Sequence, residues 1–438
     1  MRPAGPPRQL VLFRALVAGT SISAFGSYLN MVALNLFVYQ ATGSALQTGG
    51  FMALRLGAGF VAGLVGGTVA ARLPRRPVMV ACDLTQAVAL VALVLAPSSV
   101  RLGLLPLVAV ATGLLGTTST VLLRSSVPDL VGAADRVTAN GLLVTGRAIA
   151  MALGFAAGGV LVGWWGYRAA FLVDAGTFVV SATLLAALPL PFPSRRSRTA
   201  QPAAVKPMDG TRRHRRETLA ALVAAPVILV VVLVRAVDAL GSASHNVGLP
   251  VYATQVQPQD PAAFVGHFFA VWAVGLFAAH QVVRRLGTGR SGLDGPRRSE
   301  TGFVVGTCLM SAAFIVAFTD LPGQWVLLVA FVAGAADGFT EITYTTRLQA
   351  EPDPQRGWFF GLTAMAENGG LGLGMLLAAG LLEVWRPLYV AAAMHGAVVV
   401  LALGVVLFGL LHRHTATPVE GAPDPPADAL APAEGSRP

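Results

Sequence analysis

Twelve long apolar stretches run from Val11 to Leu411, separated by short polar connectors. A stretch of about 20 apolar residues, wound as a helix rising about 1.5 Å per residue, covers the roughly 30 Å of hydrocarbon in a bilayer. Inside that hydrocarbon each backbone N–H and C=O must be bonded within the protein, which a helix achieves locally. The pattern predicts an all-α integral membrane protein with twelve transmembrane helices. Composition agrees: 55% of the 438 residues are hydrophobic and 12% are charged, where a soluble domain carries about 25% charged residues. The spans are expected near residues 12–39, 46–70, 77–96, 103–123, 143–163, 170–190, 225–252, 263–283, 301–319, 325–344, 358–381 and 387–411.

The positive charge falls into every second connector. Arg2, Arg8 and Arg14 precede the first span, Arg72, Arg75 and Arg76 follow the second, and Arg124 and Arg136 follow the fourth. Further clusters on that side run from Arg195 to Arg216, from Arg284 to Arg298, and over Arg347 and Arg356, whereas the opposite connectors hold only Arg101, Arg168 and Arg386. The positive-inside rule then puts both termini in the cytoplasm. Topology accounts for the net charge of +10, and no basic soluble domain is visible that would take nucleic acid as a partner. The first apolar run is too long for a signal peptide and lacks a small-residue cleavage site, so it reads as the first span. Cys82 and Cys308 have no disulfide or metal-ligand spacing. No phosphate-binding loop, H-E-x-x-H pair or nucleophile–base arrangement appears, which argues against direct ATP use and against an enzyme.

The segment from Pro191 to Glu217 is polar and basic and divides the spans six and six. The expected organisation is a six-helix bundle over residues 1–190, a cytoplasmic linker over 191–218, a second bundle over 219–411 and a disordered tail over 412–438. Two echoes suggest that the bundles are a pseudo-symmetric duplication. LVAVATG (Leu107 to Gly113) resembles LVAFVAG (Leu328 to Gly334), and AAGGVLVGWWGYRAAF (Ala156 to Phe171) resembles AAGLLEVWRPLYVAAA (Ala378 to Ala393). Parallel duplication of this kind places a binding site near the midplane between halves.

Three motifs narrow the reading. GTVAARLPRRPVM (Gly67 to Met79) has the spacing G-x-x-x-[acid]-R-x-x-R-R, with Gly67, Arg72, Arg75 and Arg76 in place and Ala71 where the acid would stand. VPDLVGAADRVTANGL (Val127 to Leu142) leads into span five, and GFAAGG (Gly154 to Gly159) is a variant of G-P-x-x-G-G with Phe155 for proline. With these motifs the chain resembles the major facilitator superfamily, in particular its twelve-helix branch of siderophore and drug exporters. The resemblance implies a cytoplasmic gate formed by Gly67, Arg72, Arg75 and Arg76, with Asp83 available to pair with the arginines. It also implies close helix packing at Gly154, Gly158 and Gly159. Two departures stand out: without an acid at Ala71 the gate loses one charge-assisted bond, and span four, read as ending at residue 123, holds no arginine.

Ionised groups inside a bilayer cost about 2.5–3.5 kcal/mol on insertion scales, so they usually face a partner or a watery cavity. Asp337 and Glu341 lie four apart on one face of span ten. As like charges they repel, which favours a carried proton or a bound cation. Arg235 and Asp238, three apart in span seven, can neutralise each other. Glu367 in span eleven and Arg147 in span five read as helix anchors near the cytoplasmic side, with a transport role as the alternative; Arg55 and Asp174 read similarly. Asn30 and Asn35 in span one can offer hydrogen bonds to a central cavity. His245, His267, His280 and His395 are scattered singly. The expectation is a monomeric secondary transporter in a bacterial cytoplasmic membrane. It needs no cofactor beyond a proton gradient, and its partners are the lipid bilayer and a small-molecule substrate. It would export an amphipathic compound by alternating access, with uptake of a metabolite or lipid, or a scaffold role, as the alternatives.

Overall fold

The computed structural model describes residues 7–42, 45–132, 135–189, 226–259, 261–287 and 296–415. The linker expected at 191–218 lies outside the described residues, and of the tail expected at 412–438 the first four residues continue the last helix to Thr415 while the rest lie outside the described residues. Eleven helical elements follow in order: α1 (Pro7–Thr42), α2 (Ala45–Arg72), α3 (Arg75–Leu95), α4 (Ser98–Val131), α5 (Arg136–Ala187), α6 (Pro226–Val256), α7 (Pro261–Gly287), α8 (Pro296–Ala317), α9 (Gly323–Gln349), α10 (Asp353–Leu382) and α11 (Pro387–Thr415). Proline opens α1, α6, α7, α8 and α11, a position where its missing N–H has no helical partner to lose and its fixed φ is already helical.

The 52-residue α5 is two crossings, broken at Gly166, whose φ of 74° and ψ of 176° lie outside the helical region. A Cβ disfavours this left-handed φ, so glycine supplies the turn. Twelve crossings result, as the sequence predicts. Eleven are long and apolar enough to span a bilayer, and the twelfth, in α8, has a shorter apolar run, Thr301–Ala317. An even number of crossings brings both termini out at one end of the bundle, here the terminal end; the other is the opposite end.

The crossings form two bundles, α1–α5 and α6–α11. Each bundle holds an apolar core near each end, with Phe13, Met79 and Leu130 at the terminal end and Leu34, Leu90 and Phe171 at the opposite end of the first. The second bundle repeats this with Phe303, Leu348 and Phe359, and with Phe268, Phe314 and Phe318. The outer surface is apolar, with Leu95, Leu376 and Val400 each more than 70% exposed, whereas Asp174, Asp238 and His395 are buried. That inversion suits a lipid surround.

Between the bundles α2 lies along α10 and α5 against α7. A Cβ on Gly67 would stand 2.6 Å from Trp358 Cα, and one on Gly63 would stand 2.7 Å from the Gly361 carbonyl oxygen. Val137, Val144 and Ala148 of α5 interlock with Ala273, Leu276 and Val283 of α7.

One boundary departs from expectation. Span four, read as ending at residue 123, continues as helix to Val131, which brings Arg124 and Asp129 onto α4. The polar run misled because its groups are satisfied internally: Ser125 and Ser126 are fully buried and donate back to the Leu122 carbonyl at 3.1 and 2.6 Å. Pro128 lacks the N–H that would bond the Arg124 carbonyl four residues earlier. Gln349 Nε2, from the other bundle, donates to that carbonyl at 3.0 Å.

Candidate functional site: a closed end and a charged central layer

The terminal end is closed by polar contacts between the bundles. Arg75, 1% exposed at the start of α3, bonds the Ser125 carbonyl at 3.1 Å and Asp129 at 3.0 Å, and pairs with Asp353 of α10. Arg356, one turn into α10, reaches Asp129 at 2.7 Å and Asp353 at 2.8 Å. Each bundle thus contributes one arginine and one aspartate to a square of alternating charge. Such charge-assisted bonds are the strong class, and guanidinium planarity fixes their direction. Beside the square, the Asn140 and Gln349 side-chain amides bond reciprocally at 2.9 and 3.0 Å, and Asn140 also donates to Thr346 at 3.0 Å.

The gate expected to lose a bond at Ala71 therefore closes through other acids. Asp129 and Asp353 receive Arg75, while Asp83 is buried farther along α3 beside Ser181. Arg76 bonds the Leu185 carbonyl at 2.7 Å and also the Ala186 carbonyl. It thereby caps the C-terminal carbonyls of α5, where a cation is favourable. Arg72 is exposed.

Farther into the bundle lies a charged layer. Arg124 of α4 bonds Glu341 at 2.5 Å and the Tyr344 hydroxyl at 2.5 Å, with Glu367 at 4.0 Å. Arg235 of α6 bonds Asp238 at 2.8 Å, Glu367 at 2.8 Å and Glu341 at 3.2 Å, and its guanidinium stands 4.5 Å above the Tyr344 ring. The Tyr344 hydroxyl donates to Glu367 at 2.9 Å. Two guanidiniums thus serve three carboxylates, with Arg124 supplied by the first bundle and all the rest by the second.

Asp337 lies one turn from Glu341 toward the opposite end, about 6 Å at 1.5 Å per residue. Its electrostatic neighbours are Arg235, Asp238, Glu341 and Arg147. It alone among the carboxylates of this layer makes no hydrogen bond or ion pair with a described residue.

The first bundle adds two smaller groups. Arg147 bonds the Tyr28 hydroxyl at 2.9 Å and stands within electrostatic reach of Glu341 and Glu367. Asn30, buried, donates to Asp174 at 2.7 Å, and Thr177 donates to the other Asp174 oxygen at 3.3 Å. Among the described residues no group of three or more His, Cys, Asp or Glu could hold a metal ion.

Comparison with known proteins gives this geometry a family. The family model of the Major Facilitator Superfamily matches residues 16–356. The chain belongs to the major facilitator superfamily. No curated protein matches this facilitator in sequence. Its fold is similar to that of the human organic anion transporter MFSD10 (TETRAN), with a TM-score of 0.67 and 16% identity over 91% of this chain and 99% of that one. It is also similar to a bacterial homologue of the iron transporter ferroportin in an outward-facing state. That match has a TM-score of 0.67 and 16% identity over 90% of this chain and 99% of the other. At such identities the likeness is one of fold.

In this facilitator the side chains singled out from the sequence divide into three groups. Glu341, Arg235, Asp238 and Glu367 meet in the central layer, with Asp337 beside them. Glu367 and Arg147, read as helix anchors near the cytoplasmic side, instead belong to the layer and its rim. Asn30 does not line an opening but ties α1 to the second limb of α5. Gly154 and Gly158 let α5 press on α1, a Cβ on Gly154 standing 2.7 Å from the Phe25 carbonyl oxygen and one on Gly158 3.0 Å from that of Leu29. The side-chain surroundings of Gly159 lie outside the described residues.

Sequence reasoning missed Arg124, Asp129, Asp353, Arg356 and Tyr344, and it missed a histidine pair. His245 of α6 and His395 of α11, read as scattered, stand with ring nitrogens 3.3 Å apart, and His395 is 3.3 Å from Ser311 of α8. Their separation of 150 residues hid them; the usable signal was that both fall at similar depths, in spans seven and twelve.

Proposed function

We propose that this transporter exports a small amphipathic organic molecule across the cytoplasmic membrane in exchange for protons, with Asp337 as the proton carrier. One observation carries the reading: Asp337 makes no hydrogen bond or ion pair with a described residue, one turn from an ion-pair layer that joins the bundles. A lone charge in a low-dielectric interior is costly, and a proton is the smallest ligand that removes the cost. The excess of Lys and Arg in connectors of the terminal end supports a cytoplasmic position for it. With that end closed, the cycle we infer starts from a state facing outward, with Asp337 on the far side of the layer from the closed end.

Coupling follows from charge. Opening the terminal end separates Arg124 from Glu341 and leaves Arg235 alone among Asp238, Glu341 and Glu367, with Asp337 close by. A proton on Asp337 lowers that negative charge and eases the separation. In the inward-facing state the proton leaves as substrate binds, and the loaded transporter returns. Export is supported by the likeness of Gly154 to Gly159 to an antiporter signature.

The test is proton flux in everted membrane vesicles holding an imposed pH gradient, with cationic, neutral and anionic amphipathic compounds added in turn. Anionic compounds belong in the panel because one structural neighbour is an organic anion transporter. Wild-type protein is expected to dissipate the gradient with at least one compound, and Asp337→Asn to do so at least tenfold more slowly at equal abundance. Equal rates for the two would remove Asp337 from coupling.

A further inference from the structure

Arginine is scarce in the connectors of the opposite end, yet two of the three found there, Arg101 and Arg168, line one cavity of about 270 Å³. It lies where the ends of α1, α3 and α4 meet the turn of α5. One wall is aromatic: Phe37 packs edge-on against Tyr167 at 5.5 Å and against Phe171 at 5.8 Å between ring centroids. Among the described residues no carboxylate lines the cavity.

Helix capping explains only part of this. Arg101 donates through one terminal nitrogen to the Ala96 carbonyl at 2.8 Å, at the end of α3. Its Nε is buried with no hydrogen-bond partner. Arg168 is exposed and makes no hydrogen bond or ion pair with a described residue. Cations on this end also work against the charge bias that sets topology. Two guanidiniums without an ion-pair partner among the described residues, beside an aromatic wall, offer donors for phosphate together with an apolar surface for what the phosphate carries. Trp164 and Trp165, 74% and 66% exposed, stand at the same turn, and indole rings of this kind settle at the headgroup level of a bilayer.

We propose that this cavity is a binding site for a phosphate-bearing amphiphile, its phosphate held by Arg101 and Arg168 and its apolar part laid on Phe37, Tyr167 and Phe171. The phosphate can come from an anionic lipid of the outer leaflet or from a soluble phosphate ester. The site is separate from the central layer, so it stands or falls independently of proton coupling.

The experiment uses the full chain purified in detergent, with phosphatidylglycerol, phosphatidylcholine or glycerol 3-phosphate added. Bound ligand is read by native mass spectrometry and melting temperature by intrinsic fluorescence. Phosphatidylglycerol is expected to be retained and to raise the melting temperature more than phosphatidylcholine does. Arg168→Gln should lower its retention at least fivefold, and Arg386→Gln, on the same end but away from the cavity, should not. Displacement of the lipid by millimolar glycerol 3-phosphate would assign the site to soluble phosphates, and its failure to compete would assign it to lipid. Equal retention of phosphatidylglycerol by wild type, Arg168→Gln and Arg101→Gln/Arg168→Gln would overturn the proposal. Arg168→Gln decides if the double variant fails to fold, because Arg168 is exposed and bears no structural bond to a described residue.

Discussion

Arg235 holds three carboxylates from three helices and covers the face of Tyr344. Removing one member of a buried ion-paired group costs about 3–5 kcal/mol, because the partners left behind keep their desolvation penalty. Arg235→Leu is therefore expected to lower stability by about that much, read as a fall in the thermal midpoint of the detergent-solubilised protein. Arg235→Leu/Glu367→Leu should recover part of the loss, and a single variant as stable as wild type would show that water enters the layer. At this scale the sequence was informative wherever a charge interrupts an apolar run: Asp337, Glu341, Arg235, Asp238 and Glu367 are all legible in that way. Arg124 was not, because two serines and a proline beside it imitate a connector. Tyr344 was not, because nothing local distinguishes a phenol that bridges ions from one that packs.

Among elements, the α2–α10 contact joins the bundles and is sensitive to side-chain volume. In both helices small residues face each other, so backbones meet where side chains would otherwise keep them apart. Gly67→Val places a branched side chain against Trp358 and is expected to hold the terminal end open. Thr346→Cys, buried at that end, would then react at least tenfold faster with a membrane-impermeant maleimide added from the terminal side, in a background with Cys82 and Cys308 replaced by serine. Gly57→Val, on the same helix with open space at its Cβ, should leave the rate unchanged. Gly67 was legible as part of the gate motif, but the helix it presses against was not. Which helix fills a groove depends on the arrangement of both bundles, and a motif within one connector does not encode that. The turn at Gly166 was legible as a gap between spans five and six.

At the scale of the whole molecule, twelve crossings in two bundles followed from hydropathy and charge alternation, since the bilayer constrains length and sign so strongly. The latch did not, because its square joins Arg75 and Asp129 to Asp353 and Arg356 across more than 200 residues of chain. A hydrogen bond to a charged group contributes about 1.5–3 kcal/mol, so Asp353→Asn should shift the balance between closed and open terminal ends by about tenfold or more. Spin labels on Arg72→Cys and Gln355→Cys, exposed positions on the two bundles, would report it as a larger long-distance population. An unchanged distribution would mean that the amide pair and the glycine contact suffice to keep the end shut.

Three ties converge on α1. Tyr28 is bonded to Arg147 on the first limb of α5, Asn30 to Asp174 on the second, and the Gly154–Gly158 stretch presses directly on its backbone. The limbs themselves turn at Gly166 with no intervening loop. Crossings one, five and six are accordingly expected to travel together, so that a push on the foot of the first limb reaches α1 and Asp174 through these ties as well as through the turn at Gly166.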